Sequence, residues 1–124
     1  MIVRKPLTRA QAEHAMRHGE FDDTVTAAAP KVAVVLSQDW CGQWAAMDHY
    51  LYELSETKGE GDGDLAVFHL LYNNVDYSQA FLRFKEGVWR NALIPYVRYY
   101  RNGRLVGESN FVSQGQFLRH LEER

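Results

Sequence analysis

Residues 31–44 read KVAVVLSQDWCGQW, and two different periodicities meet inside them. Lys31–Leu36 is a short unbroken apolar run following Pro30, the pattern of a strand covered on both faces. From Gly42 onward the apolar residues Trp44, Met47, Tyr50, Leu51 and Leu54 recur at three- and four-residue spacing, which predicts an amphipathic helix. A strand therefore passes through a tight turn directly into a long helix. Cys41, the only cysteine of the chain, falls at the helix N-terminus.

Upstream, Thr8 and Gln11 form a capping box that opens a helix over residues 9–18, and Gly19 ends it. Residues 1–30 are thus read as a helical extension of the same domain. Downstream, Leu65–Leu71 is a second buried strand, and Tyr77–Lys85 reads as a short helix. Leu93-Ile94-Pro95 leads into a third strand, Tyr96–Arg101, which Asn102-Gly103 turns back in the manner of a type I′ hairpin. Leu105-Val106 returns as a fourth strand. Ser113 with Gln116 is a second capping box, opening a helix through Phe117, Leu118 and Leu121. Strands joined through a helix run parallel, and hairpin strands run antiparallel. The expectation is one α/β domain over residues 1–124, with a mixed central sheet and helices on both faces.

With 124 residues, the chain has room for one core. Its net charge of −2 comes from interleaved acids and bases, so no basic face points to nucleic acid. One cysteine excludes an intrachain disulfide framework and a thiolate-rich zinc site. His14 and His18 have metal-ligand spacing but no third ligand nearby, so they read as solvated, and neither metal nor cofactor is expected. GEGDGD at residues 59–64 lacks the length and spacing of a calcium loop and reads as a flexible connector. No window approaches the ~18 apolar residues needed to cross a bilayer. The first residues, MIVRKPLTRAQ, turn charged before an apolar signal region forms, so a cytoplasmic protein with a reduced thiol is expected.

Three features in order carry a resemblance. Trp40-Cys41-Gly42-Gln43-Trp44 after the apolar strand is similar to W-C-G-P-C, Ile94-Pro95 is similar to a family cis-proline position, and YRNGRLVG at 100–107 is similar to a closing hairpin. From about Lys31 to its end the chain resembles the thioredoxin family. The resemblance implies a three-layer α/β/α sandwich. It also implies that Cys41 is the nucleophile, that Trp40, Gly42, Gln43, Trp44, Ile94 and Pro95 line the substrate surface, and that Pro95 is cis and faces Cys41. Two departures bear on chemistry. The second motif cysteine corresponds to Trp44, with Gln43 in place of proline, and the family's buried carboxylate corresponds to Val35. The resolving half of the chemistry is missing.

Two functions remain open. In the first, Cys41 forms mixed disulfides with a protein or low-molecular-weight thiol, since a helix N-terminus presents unpaired N–H groups that stabilise a thiolate. In the second, the domain binds peptides as an adaptor without turnover, and Cys41 is an inert buried thiol. Gln38, three residues before Cys41, fits a thiol peroxidase poorly, and Gly42-Gln43-Trp44 fits a monothiol glutaredoxin poorly. A monomer is expected, with no nucleic-acid or membrane partner. His69 and Arg98 interrupt strands that otherwise read as buried. Arg98 should meet a carboxylate or reach solvent, and a partly open sheet face is the simpler expectation.

Overall fold

The computed structural model describes residues 2–57 and 64–122. Five strands form one sheet: β1 (Ile2–Pro6), β2 (Lys31–Ser37), β3 (Leu65–Leu71), β4 (Tyr96–Arg101) and β5 (Arg104–Ser109), in the order β1-β3-β2-β4-β5. β2 is parallel to β3 and antiparallel to β4, and β5 returns antiparallel on β4. The central strand β2 is buried from Val32 to Ser37 because both its faces are covered. That double cover is why its sequence shows an apolar run and no alternation.

The helical reading of residues 1–30 is corrected at its start. Ile2–Pro6 is a fifth strand, parallel to β3, with Ile2 opposite Leu65 and Pro6 opposite His69. Its sequence pattern is weak because it is an edge strand. Only Ile2 is buried, and Arg4, Lys5 and Pro6 are residues that protect an edge from further pairing.

The helices are α1 (Arg9–His18), α2 (Asp23–Thr26), α3 (Gly42–Thr57), α4 (Ser78–Gly87) and α5 (Gln114–Glu122). Thr8 Oγ1 accepts from Gln11 N at 3.1 Å and the Gln11 side chain accepts from Thr8 N at 2.9 Å, closing the capping box of α1. Gly19 ends the helix at φ 83°, where a side chain would be strained. Asn102 and Gly103 both have positive φ, 51° and 82°, as a type I′ turn requires.

Strand alternation divides the core in two. Val32, Val34, Leu36, Ala66 and Phe68 meet α1, α2 and α4, whereas Ala33, Val35 and Val67 meet α3 and α5. Of the loop at 59–64, only Asp64 is described, with its carboxylate 3.6 Å from Lys31 Nζ. Residues 59–63 lie outside the described residues.

The expected open sheet face at Arg98 is also corrected. Arg98 is 5% exposed on the α1/α4 side, and every guanidinium nitrogen is used. Nε donates to Tyr100 Oη and one terminal nitrogen to Tyr96 Oη, both at 2.9 Å, while the other terminal nitrogen donates to Glu20 Oε2 at 2.8 Å. The guanidinium also lies 4.3 Å from the Trp89 ring centre. Burial pulls the Arg98 pKa down, but Tyr100 and Glu20 outweigh it and the net shift is upward. The expected carboxylate is Glu20, in the loop after α1.

Candidate functional site

Cys41 stands immediately before α3 and caps it. Its carbonyl accepts from Ala45 N at 3.1 Å, and its Sγ accepts from Trp44 N at 3.4 Å. The sulfur thus meets one of the orphan N–H groups that begin every helix. Cys41 is 7% exposed, so the residue as a whole is buried.

The approach to Cys41 is fixed from outside the motif. Asp39 N donates to Asn73 Oδ1 at 3.0 Å, and Asn73 Nδ2 donates back to Asp39 Oδ1 at 2.8 Å. This reciprocal pair ties the turn to the single 3-10 turn Tyr72–Asn74 that follows β3. Cys41 N donates to Gln38 O at 3.2 Å, and Trp40 Nε1 donates to Gln38 Oε1 at 2.6 Å. With its indole anchored there, Trp40 is nevertheless 69% exposed beside the buried thiol.

The other motif residues separate by environment. Gly42 and Gln43 are exposed on the first turn of α3. Trp44 points inward, buried in the core layer that also holds Cys41, Val35 and Met47. Its backbone N–H meets the sulfur, while its indole stacks on His69, ring centres 6.1 Å apart and planes 28° apart.

His69 lies opposite Val35 in the β2–β3 register. Its Nδ1 is buried without a hydrogen-bond partner, and so is Nε of Arg4, whose guanidinium pairs with Asp48 of α3 at 2.9 Å. Burial lowers the His69 pKa, and Arg4 lowers it further. A neutral, desolvated imidazole therefore sits beside the apolar Val35.

Ile94 and Pro95 come from the segment between α4 and β4. The Ile94–Pro95 peptide bond is cis and Pro95 is buried. Ile94 packs against both core layers, including the one that holds Cys41 and Trp44. The structure therefore brings Cys41, Trp44 and Ile94 to one apolar cluster, with Trp40 and Gln43 facing out from it. Asn73, Asn110 and Lys85, which organise the surrounding loops, do not stand out in the sequence as site residues. Lys85 alone leaves a signal: it falls four residues after Phe81 and one after Phe84, on the buried face of its helix.

His14 and His18 stack with ring centres 4.4 Å apart, and among the described residues no group of three or more metal-binding side chains occurs. Among the same residues no helix is long and apolar enough to cross a membrane.

No protein-family model and no curated protein matches the sequence. Solved structures do match over nearly the whole chain. Thioredoxin O1 from Arabidopsis thaliana superposes with a TM-score of 0.64 at 13% identity, covering 98% of this chain and 95% of that one. A mutant thioredoxin from Halobacterium salinarum NRC-1 gives 0.62 at 19%, covering 98% and 88%. Trxlp from Edwardsiella tarda EIB202 gives 0.59 at 21%, covering 98% and 99%. Likeness at such identity is likeness of fold.

Proposed function

Starting from a thioredoxin fold that carries a single cysteine, we propose that this protein is a monothiol exchange protein whose Cys41 forms mixed disulfides with a polypeptide or low-molecular-weight disulfide. The observation that carries the reading is the Cys41 sulfur itself, placed at the N-terminus of α3 and receiving the Trp44 N–H at 3.4 Å. A charge-assisted bond from a helix N–H stabilises sulfur as thiolate.

The step balances without a cofactor. The Cys41 thiolate attacks one sulfur of the partner disulfide, and a Cys41–sulfur bond forms as the partner's S–S bond breaks. The departing sulfur leaves as a thiolate and takes a proton from solvent. The reaction then stops, because the next attack needs a second thiolate and Trp44 offers an indole. Release requires an external thiol. Trp40, Gly42, Gln43, Ile94 and Pro95 form the contact surface in this reading. The protein would act as a monomer in a reducing compartment such as the cytoplasm, without nucleic acid.

A second reading, an adaptor that binds peptides without chemistry, is favoured by one observation: Cys41 is 7% exposed. Intact-mass measurement after exposure to a small disulfide separates the two. A single adduct on the unmodified protein, absent from Cys41→Ser and removed by glutathione, is the expected result. No adduct leaves the adaptor reading. Sustained disulfide reduction without added monothiol would sink the monothiol mechanism.

A further inference from the structure

Lys85 is wholly buried, and among the described residues it pairs with no carboxylate. Its ammonium is spent on one stretch of chain. Nζ donates to Asn91 O at 2.9 Å, to Leu93 O at 2.8 Å and to Asn91 Oδ1 at 3.4 Å, which uses all three of its protons. The Tyr96 ring lies 5.4 Å away. Burial pushes the Lys85 pKa down to about 8, which leaves the ammonium charged at neutral pH.

The stretch it holds has no regular structure and would otherwise have several ways to run. Arg90 takes φ 60°, a conformation rare for a residue with a side chain. The Asn91 and Asn110 side chains exchange two hydrogen bonds, each Nδ2 donating to the other's Oδ1 at 3.1 Å, and Asn110 Nδ2 also donates to Pro95 O at 3.0 Å. Leu93 N donates to Asn91 Oδ1 at 3.0 Å. Lys85 and Asn110 thereby occupy the backbone oxygens of Asn91, Leu93 and Pro95. Ala92 and Ile94 are left over: among the described residues neither the N–H nor the C=O of either makes a hydrogen bond, and of the two Ala92 is exposed while Ile94 is half-buried. Ile94 is also the residue of this segment that packs on the layer holding Cys41, and its neighbour Leu93 is 63% exposed. The clamp therefore leaves the Ile94 backbone unspent, next to a side chain that packs on the layer holding the thiol, with the apolar Leu93 side chain exposed.

We propose that Lys85 is a positioning residue for Cys41: it fixes the Asn91–Pro95 segment so that the free Ile94 backbone receives an extended polypeptide disulfide, which selects polypeptide over small disulfides. The inference rests on Cys41 being the nucleophile proposed above. A polypeptide has backbone donors and acceptors that pair with Ile94 as a strand does, and a small aromatic disulfide has none. Loosening the segment should therefore slow the first partner and spare the second. Lys85 touches neither partner and acts only through the carbonyls it holds.

The test compares Cys41 mixed-disulfide formation with an extended peptide disulfide and with dithiodipyridine, in the unmodified protein, Lys85→Met and Asn110→Ala. Lys85→Met keeps the aliphatic stem and removes the donors. Asn110→Ala releases Pro95 O from the other side and serves where Lys85→Met does not fold. The expected result is a rate about tenfold lower with the peptide in either variant, the factor one well-made hydrogen bond commands. The dithiodipyridine rate should be unchanged. A merely structural role for Lys85 would lower both rates together or neither, and either outcome overturns the proposal. Failure of the unmodified protein to react with both reagents overturns the nucleophile reading and this inference with it. Reaction with both at rates the variants leave unchanged overturns the role of Lys85 alone.

Discussion

The two faces of the sheet satisfy their buried polar groups to different degrees. On the α1/α4 side, the Arg98 guanidinium meets Glu20, Tyr96 and Tyr100, Tyr96 in turn donates to Glu108, and Lys85 meets three oxygens. On the α3/α5 side, His69 Nδ1 and Arg4 Nε are buried without partners. Leaving a buried polar atom unpaired costs about 1–3 kcal/mol, so a fold keeps few of them. Both such side-chain atoms among the described residues lie on the face that carries Cys41. The first face is closed by satisfied polar groups, and the second is held chiefly by apolar packing around the thiol. Function is expected where polar satisfaction is incomplete.

The contrast is broken most severely at Trp44. Trp44→Cys removes a large buried side chain from the packing-dependent face and should destabilise the protein by about 3 kcal/mol or more. It also places a second thiol three residues after Cys41. Slow multiple-turnover disulfide reduction should appear, limited because Val35 supplies no carboxylate for proton transfer. Denaturant unfolding and a reductase assay on the same variant check both parts. A stability within about 1 kcal/mol of the unmodified protein would mean that apolar packing does not hold this face.

On the opposite face the sensitive element is charge pairing. Glu20→Ala leaves the Arg98 guanidinium buried without its carboxylate, and breaking a fully buried pair costs about 3–5 kcal/mol. Glu20 retains 38% side-chain exposure and Tyr96 and Tyr100 stay in place, so roughly 2–3 kcal/mol is expected here. Combining it with Arg98→Met should recover part of the loss, since no unpaired charge remains. If Glu20→Ala and the double variant unfold at the same denaturant concentration, the guanidinium reaches water in the absence of Glu20 and the closed-face description fails.

The contrast itself is only half legible in the sequence. Apolar runs and helical spacing locate β2, β3, β4 and α3 because these are buried, and the caps of α1 and the turn at Asn102-Gly103 are set by neighbouring residues. β1 is not legible because an edge strand of five residues with one buried side chain carries no pattern. At the site, the motif around Cys41 is contiguous and can be read. Its supports are not contiguous: Asn73 reaches Asp39 across 34 positions, and Glu20 reaches Arg98 across 78. Arg98 and His69 look alike in sequence, each a polar residue inside an apolar strand. Register places them on opposite faces and gives a complete set of partners to only one.

That difference can be read by titration, in the smallest of these effects. The His69 pKa is lowered in the folded protein, first by burial and then by Arg4, and Asp48 opposes the shift. A histidine lowered on folding binds fewer protons in the native state than in the unfolded chain once the pH falls below about 6.5. The stability that its neutral form contributes is therefore complete above that pH and is lost as the pH falls toward the folded value. Protonation would also set an imidazolium beside the Arg4 guanidinium, next to the buried indole of Trp44. His69→Leu keeps an apolar side chain of similar bulk against Trp44 and has nothing to titrate. Carboxylates elsewhere contribute to acid sensitivity in both proteins, so the informative quantity is the difference between their stabilities from about pH 7.5 down to about pH 5. That difference should shift in favour of His69→Leu as the pH falls, with no comparable shift above about pH 7. A flat difference would mean that His69 Nδ1 finds a partner or solvent in solution. The α3/α5 face would then be as well satisfied as the other, and the contrast between the two faces would not hold.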